Sequence, residues 1–112
     1  MVRTSIKSKA KVVPITSGTA VDTTGYGKAT IIVNNVTAVA SITVTASATQ
    51  SGTYANSNMV LPNGSENYTY TPAAVGAYVL SYIGSEPWLK ITSGTPGNTT
   101  ITLLLEEPVL SN

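Results

Sequence analysis

The side chains that could perform acid–base chemistry in this chain are its carboxylates, because histidine and cysteine are both absent. They are Asp22, Glu66, Glu86, Glu106 and Glu107. Without His or Cys, the chain can form neither a Ser–His–Asp triad nor a Cys–His pair, and it lacks the usual zinc ligand sets. Glu106 and Glu107 are adjacent near a predicted strand end, where consecutive side chains point to opposite faces. They therefore make a poor catalytic dyad, and we expect a protein with no catalytic residues that is not an enzyme.

Two features around Asp22 could suggest ligand binding. Gly25-Tyr26-Gly27 is similar to part of a phosphate-binding loop, but a third glycine is missing and no helix is expected to follow. A turn before the next strand is the simpler interpretation, and the Asp22 carboxylate could cap that turn. One acidic residue does not supply the oxygen ligands that calcium needs. We therefore predict neither a cofactor nor a metal site.

Aromatic residues are the first candidates for a binding role. The chain has six tyrosines and one tryptophan. Exposed rings on a sheet can stack on sugars, but packing in a core or at a subunit interface is the more common use. We predict that Tyr82 and Trp88 anchor the core or an interface, that Tyr68 and Tyr70 share one strand face, and that Tyr78 and Tyr82 share another.

Basic residues near the beginning of the chain are the second candidates. Of the six basic residues, four are Arg3, Lys7, Lys9 and Lys11. Residues 1–10 are predicted to form an arm in which Arg3, Ile6, Lys7 and Lys9 contact a partner subunit. Four charges without interleaved aromatic residues are a weak footprint for nucleic acid, so we expect no nucleic-acid partner.

The composition also limits the partners. Charged residues make up 10% of the chain and the net charge is +1, whereas soluble domains usually contain about 25% charged residues. A surface with so little charge can pack against neighbours at low desolvation cost, although a small extracellular-type sandwich would have the same composition. No apolar run approaches the roughly 18 residues of a membrane span, and no secretory signal is evident. We therefore expect a soluble protein that is made in the cytoplasm and has no membrane partner.

Strands must position these residues, because apolar and polar residues alternate with a period of two along most of the chain. We predict an all-β fold, a single small antiparallel sandwich or barrel of seven to eight strands, jelly-roll or immunoglobulin-like. Residues 1–10 are assigned to the arm, 11–107 to the sandwich and 108–112 to a tail that Pro108 separates from the last strand. The strands predicted are 29–34, 41–49, 77–83, 88–92 and 99–105, with weaker ones at 11–15 (an edge, because of Pro14), 58–61 and 66–71.

Three segments resemble the small virion proteins of tailed bacteriophages. Residues 21–33, VDTTGYGKATIIV, are similar to a D-x-x-G-Y-x-x-A turn that leads into a strand in those proteins. Residues 42–54, ITVTASATQSGTY, resemble their next strand and polar turn, although QSG replaces a Ser-Asp-like pair. Residues 80–91, LSYIGSEPWLKI, are similar to their G-Y-x-G-x-x-R-Y-L-R-V stretch, with Pro87 in place of a basic residue.

The resemblance implies a head decoration (cement) protein that binds the outside of the capsid and stabilises the shell. Its partners would be the major capsid protein and further copies of itself, as a dimer or trimer, and its location the capsid surface of the virion. Two other interpretations remain open. One is a carbohydrate-binding or adhesive module of a tail or fibre, and the other is a low-copy structural protein of the neck or tail.

Overall fold

A computed structural model describes residues 7–35, 38–94 and 99–109, and these residues form two antiparallel β-sheets. The strands are β1 (Lys7–Ile15), β2 (Ala20–Asp22), β3 (Lys28–Asn35), β4 (Ile42–Ser47), β5 (Ala55–Asn56), β6 (Met59–Val60), β7 (Glu66–Asn67), β8 (Thr69–Tyr70), β9 (Gly76–Tyr82), β10 (Trp88–Ser93) and β11 (Thr99–Val109). The larger sheet has the order β1-β11-β3-β9-β6-β7, and the smaller has β2-β10-β4-β5, with β8 also pairing with β4. The predicted all-β sandwich is confirmed.

The core lies between the sheets and consists of the inward-facing half of each alternating strand. Fully buried side chains come from the larger sheet (Ile31, Val33, Met59, Leu80, Leu103, Leu105) and from the smaller one (Ile42, Val44, Leu89, Ile91). Burying each such side chain contributes about 1.5–3 kcal/mol. The alternation predicted for β4 matches the burial, because Ile42, Val44 and Ala46 all face the core.

The described residues contain eleven strands, more than the seven to eight predicted, because the segment between β4 and β9 is divided into short pairings. There, β5 to β8 have two residues each. β7 pairs in the larger sheet and β8 in the smaller one, so the chain changes sheets at Tyr68. The prediction that Tyr68 and Tyr70 share one strand face is therefore wrong: Tyr68 is exposed, and Tyr70 packs against the core.

The two terminal strands are longer than predicted. β1 begins at Lys7 and β11 continues to Val109, and these two residues face each other. Residues 7–10 of the predicted arm and 108–109 of the predicted tail therefore belong to the sheet. Pro108 is tolerated because β3 pairs with β11 only as far as Glu106, which leaves one edge of β11 without a neighbour among the described strands beyond that point. The position of β1 at the sheet edge agrees with the prediction from Pro14.

Candidate binding surfaces

The paired ends of β1 and β11 form a two-stranded ribbon, defined here as residues 7–10 with 106–109. Lys28 is the first residue of β3, and it pairs with Glu106 of β11. Beyond Glu106, β11 pairs with β1 alone among the described strands. The principal extents of 54 × 32 × 25 Å describe an elongated molecule. Two-stranded pairing without a covering sheet is a weakly supported element.

The ribbon contains half of the residues proposed for the arm. Lys7 lies opposite Val109 and Lys9 opposite Glu107 in the strand register, while Arg3 and Ile6 lie outside the described residues. At the base of the ribbon, Lys28 Nζ is 3.9 Å from Glu106 Oε1, and both side chains are partly exposed. A pair of this kind contributes about 0–1 kcal/mol. Lys9 and Glu107 are thus the one lysine–glutamate cross-strand pair in the register of the ribbon, and the ion pair at its base is weak.

The outer side of the larger sheet is apolar and is called the apolar face here. It consists of Val12, Pro14, Ile32, Val79 and Leu104, and the exposed fractions of Val12, Ile32 and Val79 are 64%, 38% and 52%. Its two central rows are Pro14–Thr102–Ile32–Val79 and Val12–Leu104–Thr30–Ser81–Val60. The second row continues to Glu66 on β7, and the other residues named in the two rows are uncharged. The ATIIVN segment predicted a central strand, and β3 does lie between β11 and β9 in the larger sheet.

The outer side of the smaller sheet holds Trp88. Leu89 and Ile91 face the core, so Trp88 and Lys90 face outwards, with Asp22 and Ser47 as the cross-strand neighbours of Trp88. Trp88 is half-buried and does not belong to the core cluster. Lys90 Nζ lies 4.2 Å from the centre of the Tyr54 ring, a cation–π contact of about 0.5–1 kcal/mol.

Tyr82, the other predicted anchor, has one side in the core and its hydroxyl in a polar network. The ring is half-buried and packs against the core cluster, as does Tyr78 on the same strand face. The Tyr82 hydroxyl accepts a hydrogen bond from Ser57 Oγ (3.1 Å) and donates one to Glu86 Oε1 (3.3 Å). Burial, and to a smaller extent the negative charge of Glu86, raise the pKa of Tyr82 above its usual value.

The turn between β2 and β3 lies beside Tyr82. As predicted, the Asp22 carboxylate caps this turn, accepting a hydrogen bond from the Thr24 backbone amide (2.9 Å). Hydrogen bonds from the Thr24 side chain and backbone lower the pKa of Asp22. Gly25 supplies the left-handed backbone conformation, with φ of 89°. Within the described ranges, no group of three or more acidic, His or Cys residues could hold a metal ion.

No helix in the described part of the chain is long and apolar enough to cross a membrane. No protein-family model matches the sequence, and no curated protein is significantly similar to it. Among solved structures, the chain is similar to the SPBc2 prophage-derived protein YomS. The TM-score is 0.65 and the identity 9%, over 96% of this chain and 99% of YomS. At this identity the likeness concerns the fold, and it extends over nearly the whole of both chains.

Proposed function

We propose that this protein is a non-enzymatic structural component of a tailed-phage virion, and that it decorates the outside of the capsid and stabilises the shell. The observation that carries the proposal is the fold likeness, over nearly the full length of both chains, to a protein of prophage origin. The resemblance of segments 21–33, 42–54 and 80–91 to phage virion proteins also supports a phage protein. The chain's low charge, 10% of residues, suits a part that remains packed against other subunits.

The ribbon is the contact proposed for the major capsid protein. It extends past the point where β3 stops pairing, and the register places Lys7 and Lys9 on its β1 strand. A ribbon whose backbone groups are paired on one side only can add to a neighbouring sheet edge or lie across a subunit junction. Copies bound at such junctions would stabilise the assembled shell by mass action, because they bind the assembled state and not the separated subunits.

Quantitative mass spectrometry of purified particles that carry this protein tests the virion assignment. We expect a copy number comparable to that of the major shell protein, as lattice coverage requires. A handful of copies per particle would instead support the neck or tail alternative. Complete absence from the particles would refute a structural role in the virion.

Binding to isolated shells tests the ribbon. Replacing Lys7 and Lys9 together by alanine should weaken shell binding, with a greater effect at low ionic strength because exposed charges are screened by salt. The matched control compares Lys9→Ala with Lys90→Ala, which removes the same charge from β10 in the smaller sheet, away from the ribbon. Equal losses for these two single variants would assign the effect to net charge and contradict a ribbon contact.

A further inference from the structure

A cleft of about 490 Å³ opens between two connections at the ribbon end of the sandwich. One wall is the turn from Thr23 to Lys28, between β2 and β3, and the other is the segment from Gly84 to Pro87, between β9 and β10. Tyr26 and Tyr82 also contribute to the lining. The volume lies within the range of small-molecule sites in proteins, roughly 300–1,000 Å³.

Backbone hydrogen bonds fix the two walls relative to each other. The Thr23 amide and the Thr23 hydroxyl both donate to the Pro87 carbonyl, each at 2.7 Å. Within the turn, the Tyr26 amide donates to the Thr23 carbonyl (3.2 Å), and the Gly27 amide donates to the Glu106 carbonyl of β11 (3.1 Å). The cleft is therefore held open by bonds between separate elements and would lose little conformational entropy on binding.

The lining combines aromatic rings, hydroxyls and a balanced charge. Lys28 and Glu86 are the charged side chains that line it, one of each sign. Tyr82 donates to one Glu86 oxygen at 3.3 Å, and an ionised carboxylate has capacity for about four hydrogen bonds. Tyr26 and Tyr82 are half-buried, so part of each ring remains accessible to solvent.

We propose that this cleft binds a neutral saccharide. A sugar ring offers an apolar face to a tyrosine ring, and its hydroxyls can donate to the Glu86 carboxylate and accept from Lys28. A phosphate or another strong anion is disfavoured because the lining has no net positive charge. A purely apolar ligand would desolvate Glu86, Lys28 and Ser85 without satisfying their remaining hydrogen-bonding capacity. The proposal is independent of the decoration role, since it rests on the cleft alone.

The test is a titration of the full-length protein with sugars, in which binding is monitored through the amide chemical shifts in two-dimensional NMR spectra. The probes are glucose, galactose, mannose and N-acetylglucosamine, and their β-linked disaccharides, at high millimolar concentration. We expect at least one to shift the amides of Gly25–Lys28 and Gly84–Glu86 in a saturable way. If none shifts these amides, or if the largest shifts fall on the outer side of the smaller sheet around Tyr54 and Lys90, the assignment is overturned.

Two single substitutions sharpen the test. Glu86→Ala should weaken binding about tenfold, the loss that removal of one charged acceptor produces, whereas Glu86→Gln, which keeps one acceptor oxygen, should weaken it less. Glu66→Ala is the matched control because Glu66 is also an exposed glutamate, on β7 and outside the cleft lining. Equal weakening by Glu66→Ala and Glu86→Ala, or no weakening by Glu86→Ala, would refute the role of this cleft.

Discussion

Gly84 is required for space, because its Cα lies against the end of the Tyr82 side chain. A Cβ at this position would overlap the Tyr82 hydroxyl and Ser57 Oγ. Gly84→Ala should therefore displace the Tyr82 ring and lower the free energy of unfolding by about 1–3 kcal/mol, the usual cost of overpacking.

Chemical denaturation measures this change, and Gly27→Ala is the control. Gly27 lies on the opposite wall of the cleft and would have nothing within 4 Å of an added Cβ, so its replacement should change the unfolding free energy by less than about 0.5 kcal/mol. A similar loss for both variants would mean that the turn backbone, and not the Tyr82 contact, limits substitution here.

Because of Tyr78 and Tyr82, the free energy of unfolding should decrease at alkaline pH. Burial raises the pKa of both hydroxyls above the ordinary value of 10.0. A raised pKa means that the folded state holds its protons more tightly than the unfolded state. The stability that these two protonated hydroxyls contribute to the folded state is therefore fully present below pH 10. It is lost as the pH rises through their folded-state pKa values.

Thermal unfolding across the alkaline range tests this expectation. Tyr78→Phe and Tyr82→Phe should each reduce the decline of Tm between neutral and alkaline pH, and the double variant should reduce it further. Parallel Tm profiles for the wild-type protein and the double variant would show that other groups cause the alkaline loss.

At the scale of the element, β11 is the longest described strand, with 11 residues, and lies next to the edge of the larger sheet, between β1 and β3. Its two faces should respond differently to truncation. Leu103 is fully buried in the core, whereas Leu104 lies on the apolar face and is only half-buried. Leu103→Ala should lower the free energy of unfolding by about 2–5 kcal/mol.

The matched control for that substitution is its neighbour. Leu104→Ala removes the same atoms from the same strand and should cost clearly less in the single chain, because none of the other described strands forms a second layer over that face. The two values are compared by chemical denaturation at low protein concentration. A cost for Leu104→Ala that equals the cost for Leu103→Ala would indicate that a second copy already covers the face.

The long strands were predictable from sequence because an alternating pattern identifies both a strand and its buried face. β4 is the clearest case: Ile42, Val44 and Ala46 are buried as predicted. The two-residue strands β5 to β8 were not predictable, since so short a pairing leaves no period to detect. Their partners are set by which sheet the chain reaches on either side of Tyr68.

The cleft could not be predicted from the sequence, although Tyr82 and the turn capped by Asp22 were. Its walls come from segments about 60 residues apart that meet through bonds such as Thr23 to Pro87, and no local pattern encodes that approach. Ser57, which is bonded to Tyr82, comes from a third segment. Trp88 was predicted to anchor the core or an interface because it is large and aromatic. Its outward position follows from the burial of Leu89 beside it, and the interface alternative stays a prediction.

At the scale of the whole molecule, the apolar face should be the contact between copies. Self-association to a dimer or trimer is expected on the shell. This face could pack with little desolvation of charge because, of the residues in its two central rows, Glu66 at the β7 end alone is charged. Val79→Lys should therefore weaken self-association, measured by sedimentation equilibrium. Val75→Lys is the control, since Val75 is equally exposed, at 50% against 52%, but lies in the connection before β9.

The decisive comparison is between the two lysine variants. Loss of association in Val79→Lys but not in Val75→Lys would support the apolar face as the contact between copies. A wild-type protein that stays monomeric at all concentrations would contradict self-association away from the shell.

The pairing of Lys7 with Val109 brings the two ends of the described chain together at the tip of the ribbon, and this arrangement determines how the protein yields to force. Hydrogen bonds in an antiparallel pair lie perpendicular to the strands, so a pull that separates the two ends loads them one after another and unzips the ribbon gradually. A pull between the ribbon tip and the far end of the sandwich acts along the strands and loads many bonds at once. Attached to a shell that expands or strains, the same molecule would therefore be compliant in one direction and stiff in another.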